Sequence, residues 1–262
     1  MSEQGFLAPL VEIAQRAGQR ILAVYNTDFD VTEKGDRSPL TEADLAAHRE
    51  IVAGLKELTP DLPILSEESA VTPWGERRHW ERYWLVDPLD GTKEFVKKNG
   101  EFTVNIALIE NGRPVIGIVH VPVAGTTYLG AESAGAQIRK STGETKPISV
   151  KAPAAQPPRV VASRSHRGAD VDAYLEKLGE HEIVSMGSSL KICLVAQGKA
   201  DVYPRLGPTS EWDTAAAHAV LSAAGGTIVE AASGEALQYN AKESLLNPYF
   251  IAFGDNNKNW LL

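Results

Sequence analysis

The sequence predicts an α+β first half joined to a layered α/β second half, and three observations carry that expectation. Leu7, Leu10, Val11, Ala14, Ala17, Gly18, Ile21 and Leu22 recur at spacings of three and four, the mark of a helix with one buried face. Between residues 102 and 150, apolar runs are punctuated by Asn111-Gly112 and Ala124-Gly125, and Asn-Gly between such runs is a strong hairpin signal. From Arg159 onward, short apolar runs alternate with helical patterns, as in layered α/β folds.

Composition bounds the rest. The 262 residues and 43% hydrophobic content suffice for one large core or two closely packed smaller ones. The formal net charge of −8, with Lys and Arg scattered, excludes nucleic-acid binding through bulk electrostatics, so an anionic substrate would need local cations. The single cysteine, Cys193, cannot form an internal disulfide, which points to a reducing cytoplasm. Glu3, Glu12, Arg16 and Arg20 interrupt the apolar positions of residues 1–26, so neither a signal peptide nor a transmembrane segment is expected there.

The first helix is core by its pattern, and residues 31–39 are polar and turn-rich, as an exposed loop would be. Thr41 is placed to cap a second helix with Leu45, Ile51, Val52 and Leu55 as its buried stripe. Asp44 falls in its first turn, where an acid ordinarily complements the helix dipole. Residues 62–65 form a short strand that runs into Ser66-Glu67-Glu68-Ser69, and only one of the two carboxylates can face a given side of an extended segment. Trp74, Trp80, Tyr83 and Trp84 gather around residues 73–79 as packing residues near a loop.

The most informative stretch is Trp84-Leu85-Val86-Asp87-Pro88-Leu89-Asp90-Gly91-Thr92. An apolar run ends in two carboxylates three residues apart, with proline between them and glycine after, so a tight turn at a strand's end should carry both acids. Hard cations are held in this way. Residues 93–98 form a short helix whose N-terminus, at Gly91 and Thr92, offers free N–H groups beside a hydroxyl to an anion. Strands over 102–109, 115–121 and 126–129 make the meander. Residues 151–158 hold three prolines and divide 1–150, an α+β metal-binding part, from 151–262, an α/β part. In the second part strands are expected at 159–162, 182–185, 201–203, 227–229 and 249–253, with helices at 169–178, 188–196 and 212–224.

Four acidic groups stand at element ends: Asp44, Glu67 with Glu68, Asp87 with Asp90, and Asp213. No histidine pair has the four-residue spacing of a zinc-binding helix, and Cys193 is alone, which argues against a soft metal. Carboxylates suit Mg²⁺, which takes oxygen ligands at about 2.0 to 2.1 Å and keeps substrate phosphate oxygens in its shell. Phosphoryl chemistry follows. The chain lacks both the Gly-x-x-x-x-Gly-Lys-Ser/Thr phosphate loop and the Gly-x-Ser-x-Gly elbow. Gly187-Ser188-Ser189-Leu190-Lys191 fits two readings, anion capture at a helix start or a plain serine cap with a solvated lysine.

Asp87-Pro88-Leu89-Asp90-Gly91-Thr92, with Glu67-Glu68 before it and Trp212-Asp213-Thr214-Ala215-Ala216 and Gly225-Gly226 far after it, resembles the inositol monophosphatase family of metal-dependent, lithium-sensitive phosphatases. The likeness runs nearly the full length. Within the family the chain is most similar to the 3′(2′),5′-bisphosphate nucleotidases, through Leu65-Ser66-Glu67-Glu68, Lys93-Glu94-Phe95, Ser163-Arg164-Ser165-His166, Gly187-Ser188-Ser189-Leu190-Lys191, Tyr203-Pro204-Arg205 and Gly207-Pro208-Thr209.

The resemblance implies a layered α-β-α-β-α sandwich. It implies that Glu67, Asp87 and the Leu89 carbonyl hold one Mg²⁺ while Asp87, Asp90 and Asp213 hold a second, with a third, weaker ion near Glu67 in some members. Asp44 would pair with Thr92 to orient the attacking water in place of a dipole role, which makes Asp44, Glu67 and Thr92 the catalytic residues. Gly91 and Thr92, with Glu67, Leu89, Asp90 and Asp213, would meet the phosphate that is removed. His166, Ser188, Lys191 and Arg205 would line the nucleotide pocket. The implied reaction is hydrolysis of the 3′-phosphate of adenosine 3′,5′-bisphosphate (PAP) to AMP, and of its sulfated analogue PAPS to APS, in sulfur assimilation. The enzyme would be a cytoplasmic monomer or homodimer, and some relatives associate loosely with the inner membrane surface. An inositol or fructose phosphatase is the alternative on this fold. A catalytically silent metal or nucleotide sensor would lose a ligand, and every ligand position is filled here.

Overall fold

Two long helices, α1 (Glu3–Tyr25) and α2 (Pro39–Leu58), cover one face of a seven-stranded sheet. The computed structural model describes residues 2–27, 39–69, 72–162 and 168–262. The sheet runs in chain order: β1 (Ile64–Ser66), β2 (Arg82–Asp90), β3 (Thr103–Glu110), β4 (Arg113–Val121), β5 (Thr126–Ala131), β6 (Gly135–Arg139) and β7 (Thr145–Ile148). Only β1 and β2 pair in parallel; the remainder is the expected meander. Asn111 and Gly112 both take positive φ and close the β3–β4 hairpin in two residues, as Asn-Gly favours.

Side chains alternate across the sheet. Trp84, Val86, Val104, Ile106 and Leu108 point into the α1/α2 layer, whereas Tyr83, Leu85, Ala107 and Ile109 point to the other face. Both faces are covered, so β2 is apolar almost continuously rather than alternating. The second face packs on α6 (Leu190–Ala196) and α7 (Glu211–Ala223). Those helices lie on a five-stranded sheet in the order β11 (Thr227–Glu230), β12 (Phe250–Phe253), β10 (Val202–Arg205), β8 (Arg159–Ala162), β9 (Glu182–Ser185). On its far side α5 (Ala169–Leu178) packs with Trp260 against Val160, Val202 and Ile251. The layers are therefore α-β-α-β-α.

One close approach positions the site. A Cβ on Gly117 of β4 would come within 2.0 Å of the Ala216 carbonyl oxygen, so the bare backbone lets α7 lie directly on the sheet. In addition, the rings of Tyr25, Phe95 and Phe102 form a triangle of centroids 4.9 to 5.4 Å apart. This anchors α4 (Thr92–Val96) to α1, each ring pair contributing about 0.5–1.5 kcal/mol beyond area burial.

The structure sharpens or changes several local expectations. The second helix begins at Pro39, so Thr41 lies inside it and Asp44 falls in its second turn; a proline loses nothing in a first turn, where its missing N–H has no partner anyway. The expected loop over 31–38 lies outside the described residues. Tyr83 and Trp84 are packing residues buried in β2, the Trp80 ring lies 5.7 Å from that of Tyr83, and Trp74 opens a short helix, α3 (Trp74–Arg77). The two acids stand at the strand's end but not on a tight turn: β2 continues through Asp90, with a bulge between Asp87 and Asp90. Residues 151–158 lead from β7 to β8, and the largest core cluster takes residues from both sides of them.

Candidate metal centre and phosphate pocket

Glu67, Asp87 and Asp213 each bring a carboxylate oxygen to a common point, all within 4.8 Å of one another. Three elements supply them. Glu67 follows β1; its residue surface is exposed while its carboxyl end turns inward. Asp87 lies on β2, buried, and its Oδ1 accepts a hydrogen bond from the Leu89 N–H at 3.0 Å. Asp213 sits in the first turn of α7, and its Oδ2 accepts from the Ser210 N–H at 2.9 Å as half of a capping box. That Ser-x-x-Asp pattern is present in the sequence as a helix-start signal.

Asp90 joins them through the bulge, half-buried at the end of β2, with its carboxylate taking a hydrogen bond from the Ser189 N–H. Leu89 lies buried in the bulge. Asp44 is buried on α2, and its Oδ1 has no hydrogen-bond partner among the described residues. Thr92 is the exposed first residue of α4. His48, one helical turn beyond Asp44, places Nδ1 2.9 Å from Ser66 Oγ and ties α2 to the end of β1.

The acids raise one another. Burial, then Glu68 and Glu67, push Asp44 up to about 8. Burial and Asp90 push Asp213 to about 7. Asp87 is held well above its ordinary value by burial, then by Asp90, Glu67, Asp213 and Asp44. Asp90 is raised by burial and drawn back by Lys191. A cluster of carboxyls that mutually oppose ionisation, with an orphaned buried oxygen beside it, is the donor set a divalent cation fits.

A cavity of about 230 Å³ opens on Asp90 and Asp213, lined by Gly91, Ser188, Lys191 and Arg205. Gly91 takes φ +98°, and any Cβ there would meet Ser188 Cβ at 3.2 Å, so the two loops touch. Lys191 is buried, its Nζ 5.8 Å from the Tyr203 ring centre, which removes the solvated-lysine reading of this segment. The serine that caps α6 is Ser189, with no side-chain capping bond. Arg205 donates through Nη2 to the Pro208 carbonyl at 2.7 Å and electrostatically lowers Asp213. His166 lies outside the described residues. Sequence reasoning missed Ser189, Lys93, Glu94, Tyr203 and Thr209 as lining residues, although all fall in segments that carry the family resemblance.

No helix among the described residues is long and apolar enough to cross a membrane. The model of the inositol monophosphatase family matches residues 3–258. The chain is 52% identical over 246 residues to the 3′(2′),5′-bisphosphate nucleotidase CysQ of Escherichia coli K12, covering 93% of this chain and 98% of the relative. Its fold matches CysQ from Bacteroides thetaiotaomicron with a TM-score of 0.87 at 44% identity, covering 95% of this chain and 97% of that one. It also matches an inositol monophosphatase from Anabaena with a TM-score of 0.76 at 25% identity, covering 96% and 91%. With the acidic motif, the layered fold and the match over nearly every residue in agreement, the chain belongs to the inositol monophosphatase family.

Proposed function

We propose that this chain is a cytoplasmic, Mg²⁺-dependent 3′(2′),5′-bisphosphate nucleotidase that hydrolyses PAP to AMP and phosphate, takes PAPS to APS, and serves sulfur assimilation. The observation that carries the reading is the convergence of Glu67, Asp87 and Asp213 beside a cavity that also holds Lys191 and Arg205. A phosphate monoester and a second anionic group need these two neighbouring charge environments. The family and the similarity to the CysQ nucleotidases support the substrate assignment.

Glu67, Asp87, Asp90, Asp213 and the Leu89 carbonyl are the residues that would hold two Mg²⁺ ions. Bound Mg²⁺ supplies charge neutralisation at the phosphate and a water acidic enough to ionise near neutral pH. The protein's own groups do the rest. Asp44, buried beside the acids, and Thr92, at the start of α4, orient the attacking water. Gly91 leaves room for the phosphate against the Ser188 loop. Ser188, Lys191 and Arg205 bind the nucleotide's remaining phosphate, Arg205 through its planar fork and Lys191 as a point charge.

A phosphate-release panel tests this with PAP, PAPS, inositol 1-phosphate and fructose 1,6-bisphosphate, in Mg²⁺, with chelator and with lithium. PAP should turn over fastest, and chelator or lithium should suppress it. Preference for inositol 1-phosphate or fructose 1,6-bisphosphate would move the reading to a sugar phosphatase. Binding of PAP with no turnover of any substrate would indicate a sensor.

A further inference from the structure

Thr103, Asn105 and Ser189 form a buried polar cluster that the reaction as described does not use, with exposures of 0%, 1% and 4%. Ser189 Oγ lies 2.9 Å from Thr103 Oγ1 and 3.0 Å from Asn105 Oδ1. A hydroxyl has one proton. The amide oxygen of Asn105 can only accept, so Ser189 donates to it and Thr103 donates to Ser189. With its oxygen held by Ser189, the Asn105 NH₂ group turns the other way.

That other way is toward the acids. Asn105 pairs with Asp87 across the β2–β3 ladder and Thr103 pairs with Asp90, so all four side chains share one face of the sheet. Asn105 Nδ2 is buried on this face and has no hydrogen-bond partner among the described residues. The reversed amide would aim a carbonyl oxygen at two carboxylates. Meanwhile the Ser189 backbone N–H donates directly to the Asp90 carboxylate. Ser189 also sits between Ser188 and Lys191, which line the cavity.

We propose that Asn105 is a positioning residue: with Thr103 it anchors the Ser189 hydroxyl and so fixes the Ser189 backbone N–H that holds the Asp90 carboxylate in its metal-ligating orientation, tying the metal side of the site to the loop that carries Ser188 and Lys191. The inference rests on Asp90 being a Mg²⁺ ligand. Outer groups that orient ligands change metal affinity by about 10- to 100-fold when removed.

Mg²⁺ titration by calorimetry tests the relay on the purified full chain, alongside melting temperature without metal. Asn105→Ala should weaken Mg²⁺ binding about 10-fold or more, and Ser189→Ala should do nearly as much. The double variant should be no worse than the worse single one. Thr103→Val, which keeps the shape and removes the hydroxyl, should weaken binding more than Thr103→Ser, which keeps the hydroxyl. Folded Asn105→Ala with wild-type Mg²⁺ affinity overturns the proposal. Should Asn105→Ala fail to fold, equal affinities for Thr103→Val and Thr103→Ser overturn it instead. Asp90→Asn separates the two claims: if that variant binds Mg²⁺ as wild type does, the ligand assignment itself fails.

Discussion

Asp87 and Asp90 face the same side of the seven-stranded sheet although three positions separate them, because Asp87 pairs with Asn105 and Asp90 with Thr103. On a regular strand that odd spacing sends two side chains to opposite faces. The single extra residue in β2 reverses the alternation. Spacing between the two carboxylates is thus a property of the backbone, and the neighbouring helix α7 completes the set with Asp213.

Removing one acid from this set should silence the enzyme without unfolding it. Asp90→Asn and Asp213→Asn should each lower Mg²⁺-dependent phosphate release from PAP by more than about 100-fold, as loss of a charge-stabilising group in a dry site does. Their melting temperatures without metal should equal or exceed wild type, because each substitution relieves like-charge repulsion. Near-normal turnover would refute the two-metal assignment.

Arg205 lines the cavity together with Asp90 and Asp213 and is proposed as the cation for the phosphate that is not hydrolysed. Arg205→Ala should raise KM for PAP about 10- to 100-fold, the scale of a lost hydrogen bond to a charged group. Hydrolysis of a simple monoester should change far less. Equal losses on the two substrates, measured side by side, would remove Arg205 from the selectivity role.

How much of this was legible depended on whether a residue's role is local. β8, α5 and β9 match their sequence ranges because Pro158, Gly168 and Gly179 punctuate them, and local chemistry suffices there. The four acids proposed to hold metal were legible through the family motif, since their types and order carry the signal. The bulge was not, because it exists only in the register of β2 against β3. Nor was Ser189, whose partners Asn105 and Asp90 lie 84 and 99 positions away. Thr41 misled because a good capping residue two positions into a helix looks the same in sequence as one that starts it. The solvated-lysine reading of Lys191 failed for a different reason: α6 is buried on every side, so no polar face exists for it.

Stability without metal should fall as pH rises, which is unusual for carboxylates. The ordinary carboxyl range lies near 4, whereas Asp213 titrates at about 7 and Asp44 at about 8 in the folded chain. A raised folded value means the folded state holds its proton more tightly than the unfolded one, so this contribution is present at low pH and is lost as pH climbs through 7 and 8. Buried His120 and His218, lowered to about 4 and 3 by burial, act in the opposite sense below about 6.5. The clean window is therefore pH 6.5 to 8. Melting temperature should decline across it in chelator and decline less, or not at all, in saturating Mg²⁺. A metal-free curve that is flat or rising there would show that the acids do not oppose one another as their geometry requires.

Gly117 should prove as important to the site as the acids, though it touches none of them. Its missing Cβ is what allows α7 to lie on β4, and Ala216, the residue it meets, stands one helical turn from Asp213. Gly117→Ala must push the helix backbone outward, since the obstacle at 2.0 Å is a carbonyl oxygen and no side chain can yield. Overpacking of this kind costs about 1–3 kcal/mol. The same displacement carries Asp213 away from Glu67 and Asp87, so Mg²⁺ affinity should fall together with melting temperature. Gly75→Ala in α3 is the control, because a Cβ there meets nothing within 4 Å and alanine favours a helix. Calorimetric Mg²⁺ titration and thermal melts of both variants decide the matter: a Gly117→Ala protein as stable as wild type would show that α7 is not held by this contact, and lost stability with unchanged Mg²⁺ affinity would show that Asp213 is placed by its own helix start rather than by the sheet beneath it.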